Sequence, residues 1–153
     1  MLHKDPSSTS SSKLAELAQQ LERAGIEIFE VGADELRIAE RVRHHMMDSA
    51  IRVRATDTGY DLRFTIAASQ AEHPTSSRDE LVTVIRETLG RDALARGFRE
   101  VDVASTELRD PSDPSRVLDV SHGVDYGLVV DELSKLLEAI RWALELEKTL
   151  GAS

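Results

Sequence analysis

The residues best equipped by type for chemistry lie between Asp119 and Asp125, where Ser121 and His122 sit among carboxylates. A hydroxyl nucleophile, an imidazole base and an orienting carboxylate are the parts of a hydrolytic triad. Triads are assembled in space from distant segments, however, and the chain has no Gly-x-Ser-x-Gly turn to present a nucleophile. These residues are therefore expected to serve a loop. His44-His45, followed by Met46-Met47, raises metal binding. Adjacent helical residues point about 100° apart, whereas helical zinc pairs use i, i+4 spacing. The expectation is a solvated histidine pair beside core methionines. His3, His73 and His122 read as isolated loop residues. Asp110, Asp113 and Asp119 do not follow a calcium-loop pattern. Gly123 and Gly127 lack the spacing and the lysine of a phosphate loop. No catalytic residue, metal site or cofactor is expected, and the chain does not read as an enzyme.

The best-defined polar cluster is Arg52, Arg54 and Arg63. IRVRAT (51–56) and YDLRFTIA (60–67) both alternate, with Thr58-Gly59 between them as a two-residue hairpin loop. That register pairs Ile51 with Ile66, Val53 with Phe64 and Ala55 with Leu62 on the inner face. It sets Arg54 directly opposite Arg63 on the outer face, and like charges so placed are destabilising. Three uses are open: an ion-pair lattice with outward Glu100 and Asp102 of another strand, a binding surface for an acidic segment, or an anion or nucleic-acid site, against which the overall charge counts.

The surrounding elements follow from periodicity. Ser12 caps a helix over Lys13–Ala24, with Leu14, Leu17, Ala18 and Leu21 on one face and Gly25 as its stop. Ile26–Val31 is expected as a strand. Asp34–Asp48 is assigned to a helix on the line Leu36, Ala39, Val42, Met46, although Leu36–Val42 also alternates in part. Gln70–Ser77 is a loop, and Ser77 with Glu80 forms a capping box for a helix over Asp79–Ala95 that Gly90 bends or breaks. Phe98–Ala104 is a strand and Leu108–Ser115 a turn-rich connection. Arg116–Val120 is a short strand, and Ser121–Gly127 leads into the last helix.

That last helix, Leu128–Leu150, is more apolar than one buried face requires. With Leu133, Ile140 and Leu144 on the sheet, Ala139, Trp142, Ala143, Leu146 and Leu150 are left over as a candidate partner-binding surface. The expected fold is α+β and two-layered: a mostly antiparallel sheet of about five strands with helices on one face. Residues 13–153 form one domain behind a flexible Ser-rich lead-in, 1–12.

The 153 residues carry a net charge of -9, which disfavours non-specific nucleic-acid binding. There is no cysteine, which fits a reducing, cytoplasmic setting. No apolar run is long enough to span a membrane, and the N-terminus has no signal-peptide core.

The hairpin IRVRATDTGYDLRFTI, the helix DELVTVIRETL, the strand FREVDVA and the segment RVLDVSHGVDYGLVVDELSKLLEAI resemble, in order, the type III secretion chaperone-like fold. That group includes the small bacterial sensory-transduction regulators of the YbjN type. The resemblance implies a non-enzymatic protein that dimerises and binds another polypeptide. The expectation is thus a chaperone-like or adaptor module, dimeric through its last helix. The alternatives are a small enzyme or ligand-binding domain with its site between sheet and helices, or an acidic immunity-type protein that blocks a basic partner.

Overall fold

The computed structural model describes residues 6–146 and 149–150, with side chains from 13 to 146. The chain divides into two units, residues 1–64 with 128–145 and residues 65–127 with 146–153.

In the first unit, helix α1 (Pro6–Arg23) buries Leu14, Leu17, Ala18 and Leu21, the face its periodicity predicts. It begins at Pro6, so Ser12 lies within the helix and is not its cap. Proline suits a first helical turn, where its missing N–H has no intrahelical partner to lose. Of the expected lead-in, residues 1–5 lie outside the described residues. Gly25 ends the helix at φ +88 while the Ile26 N–H closes onto the Leu21 carbonyl at 3.0 Å.

Strands β1 (Ile28–Val31), β2 (Leu36–Val42), β3 (His45–Ala55) and the first half of β4 (Tyr60–Ser69) follow as antiparallel neighbours. The helix assigned to Asp34–Asp48 is corrected here to a hairpin. Leu36 and Ile38 are wholly buried on the alternating face, whereas Val42 and Met46 of the supposed helical line are exposed. Arg43 and His44 make the turn at φ 51 and 72. Positive φ at both central residues suits a tight hairpin, and the absence of Asn or Gly hid it in the sequence.

The β3–β4 hairpin forms where expected, but in a different register: Arg52 pairs with Arg63, Val53 with Leu62 and Arg54 with Asp61. The loop is Asp57-Thr58, closed by the Thr56 N–H on the Gly59 carbonyl at 2.8 Å. Gly59 serves close approach, since a Cβ there would lie 2.1 Å from the Val130 carbonyl oxygen. The slip keeps side-chain parity, so the inward set is unchanged. Helices α1 and α4 (Leu133–Glu145) cover that inner face, and Phe64 meets Trp142 edge-on at a centroid distance of 6.0 Å.

In the second unit, the rest of β4 is followed by α2 (Arg78–Glu87), α3 (Leu89–Ala95), β5 (Arg99–Asp110) and β6 (Asp113–Val130). The Ser77–Glu80 capping box is present in both directions. The helical run breaks at Thr88, as foreseen near Gly90. Gly90 itself makes room for a phenol: a Cβ there would lie 2.0 Å from the Tyr126 hydroxyl. β6 lies between β4 and β5, and the short β7 (Thr149–Leu150) runs parallel to β4. The α+β, mostly antiparallel architecture is as expected, with six strands in series in place of about five.

Two expectations fail at the C-terminal side. The turn, short strand and loop expected over Leu108–Gly127 are one long hairpin, β5 with β6. Leu128–Val130 ends β6 and does not begin the last helix, because β-branched Val129 and Val130 continue the strand. Helix α4 starts after the bend at Asp131-Glu132, with the Glu132 carbonyl accepting from the Leu136 N–H at 3.1 Å.

Candidate functional site

Helix α4 uses its apolar surplus within the chain. Leu136, Ala139, Ile140 and Ala143 are buried, and Trp142 packs on Phe64. Of the line assigned to the sheet, Ile140 is wholly buried and Leu133 and Leu144 are half-buried. Of the candidate partner surface, Ala139 and Ala143 are buried within the chain, where small side chains let α4 lie close to its own sheet, and Trp142 is half-buried. Leu146 is half-buried beyond the helix. Leu150 pairs through its backbone with Ala68, and its side chain lies outside those described.

The arginine cluster is real but differently composed. Arg37, Arg52 and Arg63 stand in one row across β2, β3 and β4 at directly paired positions. Glu100 grips Arg86 through two bonds of 3.0 and 2.6 Å. The compensating carboxylates come from nearby turns and strands. Arg37 lies within 4 Å of Glu30, Glu35 and Asp48; Arg54 reaches Glu35 at 3.5 Å, and Arg63 reaches Asp61 at 3.4 Å. The Arg52 side chain, flanked by two guanidinium groups, makes no ion pair or hydrogen bond among the described residues. The buried Nε of Arg63 also lacks a partner.

The Asp119–Asp125 segment is strand, so its side chains diverge onto two faces. Asp125 accepts from Thr65 and Asp119 from Ser69 on one of them. Asp119 also takes the Ala71 and Val120 N–H groups at 3.0 and 2.7 Å. These donors, Ser69 first, hold its carboxyl below the usual carboxylate range. His122 points to the other face and is 6% exposed. Its partners are Ser105 Oγ and Gln70 Oε1, each at 2.8 Å. Their roles follow in order. The Gln70 amide nitrogen is committed to the His73 and Ser76 carbonyls at 2.9 and 2.7 Å. Its oxygen must therefore accept from His122 Nε2–H, and Ser105 Oγ meets the other ring nitrogen, Nδ1. The sequence placed Ser121 beside His122; folding replaces it with Ser105, its cross-strand partner.

Beyond this histidine the β5–β6 hairpin becomes a ribbon. From Ala104 to Leu118 every residue but Asp110 is exposed, on both faces. The exposed set includes Leu108, Val117 and Leu118. An extra residue at Leu118 interrupts the register on β6, and Glu107 pairs with Arg109 along β5. Sequence reasoning missed this ribbon, because the alternation of Val101 and Val103 with polar residues stops at Ala104. The DPSDPS stretch reads as a break, but only its Asp110–Asp113 part turns.

In the first unit a cavity of about 350 Å³ lies between α1 and the β3–β4 turn, lined by Lys13, Glu16, Gln20, Thr56, Tyr60 and Asp131 among others. Its charges are mixed, and no histidine lines it. Among the described residues no group of three His, Asp or Glu side chains is placed to hold a metal ion. No described helix is long and apolar enough to cross a membrane. No protein-family model, curated protein or solved structure matches the chain.

Proposed function

We propose that this protein is a non-enzymatic, cytoplasmic protein-binding module, chaperone-like or adaptor in kind, and that its docking element is the distal β5–β6 ribbon and not its last helix. One observation carries this reading: the run from Ala104 to Leu118 exposes both faces of a two-stranded sheet. A lone two-stranded ribbon is marginal in water, and a free strand edge offers main-chain groups to any extended segment that adds to it. The resemblance to chaperone-like folds points the same way, since it implies polypeptide binding without catalysis. The test compares the full chain with a variant whose residues 106–117 are replaced by a tight turn, both expressed in the native cell. The full chain should retain its partner and the shortened one should lose it, with equal thermal midpoints. Equal retention by the two chains overturns the reading.

The Ser105–His122–Gln70 chain favours a second reading, an enzyme with a serine nucleophile. The hydroxyl lies within hydrogen-bond reach of an imidazole nitrogen whose ring a third group orients, which is the arrangement covalent catalysis requires. A fluorophosphonate probe should then label the protein but not the S105A variant. Absence of labelling in the wild type removes this reading.

A further inference from the structure

The free edge of the ribbon is β5, the last strand in the hydrogen-bonded order. Its two ends differ. At the proximal end the Asp102 carboxylate accepts the Val103 N–H at 2.9 Å, so that edge donor is already used. Side-chain capping of this kind blunts an edge against added strands. Backbone direction alternates along a strand, and the β5–β6 register runs unbroken from Asp102 to Leu108. The N–H groups of Ser105 and Glu107 therefore point outward with that of Val103, and Arg109 continues the alternation.

A second copy extending this sheet antiparallel must be related by a two-fold axis perpendicular to it. Such an axis keeps every side chain on its own face, so it can pass only through a residue paired with itself. Each candidate position has a definite electrostatic consequence. An axis at Ala104 opposes Arg99 and Arg109, and one at Ser105 opposes Glu100 and Asp110. An axis at Thr106 opposes Asp102 and Asp110. At Glu107 or Arg109 each residue meets its own like charge. An axis at Val103 needs the donor that Asp102 holds. At Leu108 the outcome reverses: Glu107 of each copy faces Arg109 of the other, and Leu108 meets Leu108. Leu108, 62% exposed, is the most exposed large apolar side chain among the described residues.

We propose that the ribbon binds a second copy of this chain, by antiparallel pairing of β5 with β5 about Leu108. This rests on the ribbon being the docking element. Leu108 donates inward to β6, so the Leu108 pair is a non-hydrogen-bonded one, with Cα atoms about 4.5 Å apart. That separation lies within disulfide range.

The chain has no cysteine, so an introduced one reports the register without background. Under mild oxidation L108C should form a disulfide-linked dimer, while V101C and L118C should remain monomeric. Sedimentation at high micromolar concentration should show a wild-type dimer. R109E, which sets carboxylates against each other, should weaken that dimer by at least about tenfold, and the swap E107R/R109E should restore it. A monomeric wild type, a dimer indifferent to R109E, or crosslinking equal at all three cysteines overturns the proposal. If the wild type is monomeric and the ribbon-shortened chain still loses its native partner, the ribbon remains a docking element and only self-pairing falls.

Discussion

Arg52 shows how a charged surface position differs from a binding site. Its neighbours across both strand pairs are arginines, and no carboxylate among the described residues pairs with it. Replacing it by an acid should relieve two repulsions and supply two attractions. R52E is expected to raise stability by about 0.5–1 kcal/mol, read as a higher urea midpoint at unchanged slope. A lower midpoint would mean that Arg52 makes a favourable interaction in the folded chain.

Asp119 gives a pH signature at the same scale. Donors from Ser69, Ala71 and Val120 depress its folded value below 3.8, the ordinary one. A carboxyl depressed on folding contributes stability that is complete above its unfolded pKa and is lost as pH falls through the folded one. Urea midpoints of the wild type and D119N should therefore differ by a constant amount above about pH 5 and converge as pH falls below the ordinary carboxylate value. A gap that persists unchanged into acid would show that the Asp119 charge is not what holds the β4–β6 contact.

At the scale of elements, α4 separates two explanations of an apolar surplus. An interface residue and a core residue look alike in sequence, but their substitutions differ. Ala143 is wholly buried within the chain. A143D should cost more than about 3 kcal/mol by burying an unpaired charge, and the loss should not depend on protein concentration. If Ala143 were an interface residue, the variant would fold normally and only dissociate. The β2–β3 turn offers the converse test. Arg43 and His44 both hold positive φ, which is uncommon outside glycine and less favourable for Arg than for Asn, Asp or His. Replacing the pair by Asn-Gly should stabilise the chain by about 1 kcal/mol or more. The same change within a helix would destabilise it, so the thermal midpoint decides whether this segment is a hairpin.

For the whole molecule, local pattern carried the architecture where one signal dominated. The α1 face, the Ser77–Glu80 cap and the inward set of the β3–β4 hairpin all rest on contacts within a few residues along the chain, which is why they were legible. The pattern misled where two periods fitted the same letters. Leu36–Val42 satisfies both a helix and a strand, and its pairing with β3 decides for the strand. It also misled where a strand outran its buried part. Beyond Ala104 neither face of the ribbon is covered, so no alternation of apolar and polar residues marks its length.

By itself the sequence determined the class of fold, the parity of most side chains and the absence of cysteine chemistry, because each depends on residue type and short spacing. Only the tertiary structure decided which neighbours those side chains meet. Ser121 lies next to His122 in the chain, yet Ser105 is the residue that reaches it. The surplus of α4 became core because Phe64 and the sheet occupy the space beside it. The free surface passed instead to a ribbon whose exposure depends on how far two strands extend beyond everything that packs on them.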